Sequence, residues 1–519
     1  MSGVSFGRRF GPRALLSVLV VVALTVLSLQ GSALAQRDHL RIVETSRLGN
    51  LDPAFATLGE EILLVRNIFS GLLKYRYNST ELEGDLATHW EVSEDGRTYT
   101  FYLRDDATFH RGYGPVTAHD VKFSFDRILD PATGSGWRSE FALLERVEVV
   151  DDYTVRLHLS KPAPGFLHRL VGVRQGAIVS RKALEDLGDA YSRMPVGSGP
   201  YQVESAELGR EVVLVAHEGY HGGVPAIKRV TWMMAPDPDA ALLAVEAGQA
   251  DLRWQIARDE RLFRALEDAG LAVKATNRLA WMMLHMDNSA EPFNDVRVRR
   301  AIAHAIDREA IVQYVYAGVG EVLNSLVPKG FWAHTEEGMP VYDYDPDKAR
   351  QLLQEAGWGN GFRVTLDTFQ STNYLPVALA VQDMLGQVGI DVHIEITDIT
   401  TWLEKVSSAQ TDFTLYLPTR SPDPDIVLTQ FYHSSSFSPG LNLPRYSALD
   451  AEIEAARSEL DDERRMAMYH QIQRRLMEDL PSIPIAMVDY VSAYDPALKG
   501  IPELEPVWGF DFTKLWFEE

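Results

Sequence analysis

Strand-like and helix-like segments interleave along this chain, and Asp-Pro pairs punctuate them; no other feature constrains its fold as much. The pairs fall at Asp52-Pro53, Asp130-Pro131, Asp237-Pro238, Asp345-Pro346, Asp423-Pro424 and Asp495-Pro496. Asp accepts hydrogen bonds from the free N–H groups of a helix's first turn. Pro suits the first helical position, where its missing N–H would have no partner anyway. At three pairs a helix is predicted: over Ala240 to Ala247 ended by Gly248, over Lys348 to Glu355 ended by Gly357, and from Asp423-Pro424 toward Phe431. Apolar runs predict strands at Val212 to Val215, Ile227 to Trp232, Phe362 to Leu366, Val392 to Ile396 and Asp412 to Leu417. Further helices are predicted over Asp295 to Ile306 and, capped by Asp307, over Arg308 to Tyr316. Met466, Tyr469, Ile472 and Leu476 make a late helical stripe. This alternation argues for α/β lobes with mixed sheets. A chain of 519 residues exceeds one ordinary core, so two or three lobes are expected. No linker, fixed-period repeat or low-complexity stretch marks a boundary, which fits segments that cross repeatedly between lobes.

A second informative stretch runs from Leu86 to Ser124. Trp90 and Val92 alternate with polar residues, Asp95-Gly96 supplies a turn, and Tyr99, Phe101 and Leu103 resume the alternation, which predicts a hairpin. Thr117 with Asp120 three residues on resembles a capping box, and Val121, Phe125 and Ile128 then form one helical face. Nothing in this stretch is chemically reactive.

The N-terminus predicts export. Arg8, Arg9 and Arg13 make a basic start, Ala14 to Leu29 an apolar run, and Ala33-Leu34-Ala35 a small-x-small cleavage site before Gln36. The run is short for a membrane span of about 20 residues, so a cleaved signal peptide over 1–35 is expected. Arg8-Arg9 invites a twin-arginine reading, which the flanking residues fit poorly. The chain has no cysteine, which excludes disulfides, thiolate metal sites, a Cys nucleophile and a lipid anchor at the cleavage site. A free periplasmic protein of a double-membrane bacterium is expected, with no membrane insertion after cleavage. The formal net charge is −23, and loss of the three leader arginines takes it to about −26, which opposes binding to nucleic acid or anionic lipid.

The order Leu86-Ala87-x-x-Trp90, Asp95-Gly96, Phe101-x-Leu103-Arg104, Phe109-x-x-Gly112, Thr117-Ala118-x-Asp120-Val121 resembles the signature of the bacterial extracellular solute-binding proteins of family 5, the peptide/nickel class that feeds ABC importers. The resemblance extends over nearly the whole chain. It includes Leu51-Asp52-Pro53, Val196-Gly197-Ser198-Gly199-Pro200-Tyr201, Ala247-Gly248-Gln249-Ala250-Asp251, the run Pro292 to Ala301, Gly389-Ile390-Asp391-Val392 and Pro422-Asp423-Pro424-Asp425. It implies a type II periplasmic-binding-protein fold, with two large mixed α/β lobes, a small extra lobe and the ligand in the interlobe cleft. By analogy, lobe I would comprise 36–75, 196–272 and 488–519, the small lobe II 76–195, and lobe III 273–487. The implied partners are a small-molecule or peptide ligand and an inner-membrane ABC permease, with the protein a monomer that carries no cofactor or metal.

Catalytic patterns are missing from the sequence. There is no Gly-x-Ser-x-Gly elbow, no His-Glu-x-x-His and no phosphate-binding Gly-x-x-x-x-Gly-Lys-Ser/Thr loop. His110, His119 and His433 are read as surface or supporting residues, and Tyr344-Asp345-Pro346-Asp347 lacks the spacing of a calcium loop. No catalytic residue is assigned and no enzyme is expected. The function expected is capture of a peptide or peptide-like solute by hinge closure. Carriage of a nickel chelate, haem or an oligosaccharide is the alternative, and a periplasmic hydrolase on the same fold the third.

The family resemblance also singles out ligand residues. In peptide-binding members an Asp commonly stands three residues before the Asp-Pro-Asp motif and receives the peptide's ammonium; here that position is Arg420, which reverses the sign and favours an anion. Dipeptide-binding relatives use an Arg for the ligand carboxylate before the helix that here starts near Pro376; Thr372 takes that place, with Tyr374 nearby. Trp281, Tyr374, Trp402 and Tyr416 are candidate aromatic walls, each also readable as core. Arg174 is a candidate from the small lobe. The structural alternative for Arg420 is an ion pair with Asp423 or Asp425.

Overall fold

The Asp-Pro chemistry operates at every pair in the computed structural model, which describes residues 37–519 except 47, 421, 439, 507 and 508. The leader expected at 1–35 lies outside the described residues. Asp237, Asp345 and Asp423 cap the helices Pro238–Glu246, Pro346–Glu355 and Pro424–Tyr432, each accepting from a first-turn N–H at 2.8–2.9 Å. Asp130 caps a 3-10 turn, and Asp52 and Asp495 each hold a tight turn. The hairpin is present as Ala87–Val92 against Thr98–Leu103, and the Asp120 carboxylate accepts from both the Thr117 N–H and its hydroxyl at the start of Ala118–Leu129.

Three elements differ from the sequence reading. Val92 is 45% exposed, because its strand is an edge and the helix Ala118–Leu129 lies against the other end of that sheet. Met466 is exposed on the first turns of Asp462–Asp479, while Tyr469, Ile472 and Leu476 of the same stripe are buried. The helix expected over Arg308 to Tyr316 is α-helical only at Arg308–Ala310 and widens into a π turn at Ile311–Val315.

Two mixed sheets organise the molecule. The seven-stranded sheet runs Tyr201–Glu207, Glu211–Ala216, Arg229–Met234, His39–Glu44, Leu252–Arg253, Tyr490–Tyr494, Ala272–Thr276, with His39–Glu44 parallel to both its neighbours. The six-stranded sheet runs Glu321–Val322, Ser482–Met487, Trp281–Met286, Phe413–Tyr416, Phe362–Phe369, Ile390–Thr397. A four-stranded antiparallel sheet (Ala87–Val92, Thr98–Leu103, Thr154–Leu159, Leu144–Asp151) and three two-stranded ladders accompany them among the described residues. Buried side chains form two large cores. One lies around the six-stranded sheet; the other is continuous from the seven-stranded sheet (Leu40, Trp232) into the four-stranded one (Tyr99, Phe101).

Among the described residues the chain passes between the two sheets twice, and the crossings are neighbours. Thr276 pairs with Tyr490 at the end of one sheet and Trp281 with Met487 at the start of the other. Residues 277–280 and 488–489 therefore run side by side, tied by Val488 N–H to the Ala280 carbonyl at 2.8 Å. Adjacent short crossings are the geometry of a hinge, in which a few backbone dihedrals absorb a rotation of packed bodies. The entry into Tyr201–Glu207 is held rigidly by contrast. A Cβ on Gly197 would lie 2.1 Å from the Ile68 carbonyl oxygen, so only glycine allows the approach.

Candidate ligand-binding cleft

Strands end and helices begin at the cleft, so side chains there come from loops fixed at both ends. The loop between Phe413–Tyr416 and Pro424–Tyr432 is the centre of one wall. Aromatic rings pack beside it in series: Phe369 lies 4.5 Å from Tyr374 and 4.8 Å from Trp402, Trp402 stacks on Tyr416 at 5.7 Å, and Tyr416 meets Phe431 at 5.7 Å. The Tyr374 hydroxyl accepts from the Leu417 N–H at 3.0 Å, and Trp402 Nε1 donates to Thr414 Oγ1 at 3.2 Å. These bonds pin the rings to the strand end. Burial raises the Tyr374 phenol well above its ordinary value, which keeps it neutral.

Five of the seven sequence-predicted residues therefore meet in one region. Tyr374 and Trp402 are buried supports and Tyr416 is half-buried. Trp281 is wholly enclosed between Phe331 at 5.4 Å and Phe431 at 6.4 Å. Arg420, half-buried, places its guanidinium 5.8 Å from the Phe431 ring. Its ion pair with Asp423 or Asp425 does not form. Asp425 pairs with Arg457 at 2.7 Å, and Asp423 caps its helix. Arg420 Nε donates instead to Gln430 Oε1 at 2.5 Å, and its Nη1 to the Thr419 carbonyl at 2.9 Å. Thr372 stands apart, exposed in the turn before Leu375–Gly386.

Arg174 approaches from the opposite side, with its guanidinium 4.9 Å from the centre of the Trp137 ring. The two sides touch. Gln430 Nε2 donates to Glu140 Oε1 at 3.4 Å, Glu140 faces Arg169 at 3.5 Å, and a Cβ on Gly165 would come within 2.6 Å of the Asp423 carboxylate. Cavities of about 330 Å³ beside Glu140 and Gln430 and about 730 Å³ beside Asp423 and Trp332 lie along this seam.

Sequence reasoning missed Gln430, Glu140 and Trp137, which gain meaning only from contacts between distant segments. It also missed Arg258, which reaches the loop at Thr372 from the other side. Arg258 hydrogen-bonds the Asn373 side chain, donates to the Asp489 carbonyl at 2.8 Å, and lies 5.4 Å from the Tyr316 and Tyr490 rings. Nothing in its local sequence marks it. Of the histidines, His119 is exposed and His433 bonds Ser435. His110 is fully buried, its Nε2 3.0 Å from the Gly199 carbonyl oxygen. Among the described residues no group of three or more His, Asp or Glu could hold a metal, and no helix is long and apolar enough to cross a membrane.

Asp423 offers a test of the seam. Burial first, and Asp425 second, push its carboxyl up to about 6. A carboxyl raised on folding contributes stability that is complete below its unfolded value and is lost as pH rises through the folded one. Asn caps helices as well as Asp and carries no charge. Asp423→Asn is therefore expected to raise stability at pH 7.5 by up to about 3 kcal/mol and to change it little at pH 4. Calorimetric melting of both proteins across that range decides it, and equal differences at the two pH values would count against the assignment.

The chain matches the family described as bacterial extracellular solute-binding proteins, family 5 Middle, over residues 81–439. It is 27% identical over 495 residues, 92% of this chain and 95% of the relative, to the "Probable D,D-dipeptide-binding periplasmic protein DdpA" of Escherichia coli K12. Among solved structures it is similar to MoaA, a PBP/SBP of A. tumefaciens R10 in complex with mannopinic acid (30% identity, TM-score 0.79, 93% of this chain and 100% of that one). It is also similar to the ABC transporter-associated periplasmic binding protein DppA of Helicobacter pylori in complex with the peptide STSA (27% identity, TM-score 0.81, 93% and 98%).

Proposed function

The chain belongs to the bacterial extracellular solute-binding proteins of family 5, and from that premise we propose that it is the periplasmic solute receptor of an ABC importer. Members of the family are binding proteins, and this chain is read as one that sequesters its cargo without altering it. The cargo is a peptide or peptide-like solute, and the receptor acts as a monomer that hands it to an inner-membrane permease. The relative described as a probable D,D-dipeptide-binding protein, and those in complex with the peptide STSA and with mannopinic acid, support that class. The supporting observation in the molecule itself is the pair of adjacent crossings at 277–280 and 488–489, the first of which bridges at Ala280 to Thr419 in the loop beside the aromatic wall. Rotation there would part the body that carries the six-stranded sheet from the one that carries the seven-stranded and four-stranded sheets, which moves the expected boundary at 272/273 past the strand Ala272–Thr276. Closure would change the surface that a permease meets. Export through a cleaved leader completes the reading.

A melting screen tests it. A solute at 100 times its dissociation constant adds about 2.7 kcal/mol to stability, and the same solute should reduce the radius of gyration in solution scattering. The panel is peptides, opines, oligosaccharides, haem and nickel chelates, with elemental analysis of the purified protein. If no solute raises the melting temperature or compacts the particle, the receptor reading falls. Turnover of a panel member would make the protein an enzyme instead.

A further inference from the structure

Two guanidinium groups converge on one junction from opposite sides of the cleft. Arg174 comes from the short turn Arg174–Gly176, where its own φ is 53°, and lies against Trp137. Arg420 comes from the loop before Pro424–Tyr432. Contacts tie the two sides together: Arg420 donates to Gln430, Gln430 to Glu140, and the Glu140 N–H to the Trp137 carbonyl at 3.0 Å. The charges at this junction do not balance. Glu140 is the one carboxylate in the chain of contacts, and Arg169 already faces it. Arg174 and Arg420 make no ion pair among the described residues. Arg174 Nε and Trp137 Nε1 are buried with no hydrogen-bond partner, as is Thr419 Oγ1 beside Arg420. Buried donors without partners are rare in folded proteins and call for a specific explanation.

We propose that this junction is an oxyanion subsite, in which the carboxylate of a peptide-like solute sits between Arg174 and Arg420, receives hydrogen bonds from both, and supplies the counter-charge that lets the two sides close. The proposal rests on the receptor reading and narrows its cargo to solutes whose end at this junction is anionic. A carboxylate has about four lone-pair positions for donors, and the guanidinium fork suits its two oxygens. Without an anion the two guanidiniums oppose each other's approach. Burial first, and Arg420 second, lower Arg174 to about 10, against a smaller opposing effect of Glu140, in keeping with an uncompensated pair. The peptide ammonium of a zwitterionic ligand would be repelled from the same place.

The test uses the full mature chain with a fluorophore pair reporting the distance across the cleft, without ligand and then with N-succinyl-Ala-Ala, Ala-Ala-amide and inorganic phosphate. Arg420→Gln and Arg174→Gln are each expected to raise the ligand-free closed fraction at least threefold, because the repulsion is gone. Arg420→Lys keeps the charge and should match the wild type. N-succinyl-Ala-Ala should close the wild type, Ala-Ala-amide should not, and each Gln variant should bind the succinyl probe more than tenfold more weakly. Closure by phosphate alone would assign the subsite to oxyanions more broadly. If solutes close the wild type but both Gln variants keep its closed fraction and its affinities, the subsite is overturned and the receptor stands. If nothing closes the wild type, the receptor reading fails as well. Unchanged far-ultraviolet dichroism and cooperative melting of the variants exclude misfolding as the cause.

Discussion

Arg253→Met is expected to destabilise the protein by about 3–5 kcal/mol, the cost of leaving a buried charge without its partner. Arg253 Nη1 donates to Glu44 Oε2 at 2.8 Å, and both side chains are buried. The second Glu44 oxygen accepts from the N–H groups of Trp254 at 2.7 Å and Gln255 at 3.2 Å, so the carboxylate stitches the end of His39–Glu44 to the segment after Leu252–Arg253. Burial pushes the Glu44 carboxyl up to about 7, with Arg253 holding it down. Removing Arg253 raises it further. The loss should therefore be largest above pH 7 and shrink in acid, where a protonated Glu44 needs no counter-charge. Adding Glu44→Gln to the variant keeps an acceptor for the two backbone donors and should recover most of the stability at pH 8. Urea titrations at pH 8 and pH 6 check both statements, and a loss independent of pH would count against the ion-pair account.

Trp281→Ala should cost about as much, 3–5 kcal/mol for an aromatic side chain removed from a core, while leaving solute affinity within about twofold. The ring has no exposed surface and is held between Phe331 and Phe431. It braces the wall from behind and offers no face to a ligand. Tyr416, half-buried and stacked on Trp402, is the better candidate for contact. Thermal melting together with titration calorimetry separates the two roles. A Trp281→Ala protein that melts normally but binds weakly would return Trp281 to the site.

The sequence carried local chemistry well. Asp237, Asp345 and Asp423 cap because capping needs only one side chain and the next three residues, and the hairpin at Asp95-Gly96 forms for the same reason. Burial was harder to read. Val92 and Met466 follow an inward-facing pattern yet are exposed, because whether a face is covered depends on where another element stops. The site was legible in its residue types and not in its contacts. Tyr374, Trp402, Tyr416, Trp281 and Arg420 do gather around one loop, whereas the partner of Arg420 is Gln430, a neutral side chain that no charge pattern could have nominated. Arg258 and Glu140 became visible only when segments more than 100 residues away came alongside, and Trp137 only when the turn at Arg174 did.

The side-by-side crossings at 277–280 and 488–489 also bear on kinetics. With both connections at one place among the described residues, the two sheets can part by rotation there, and a solute captured by such a rotation would meet one wall before the other swings in. In such a receptor the arrival rate reflects the wall touched first, while the residence time reflects both walls together. Variation on either face should thus tune release far more than capture, as it does across related complexes generally.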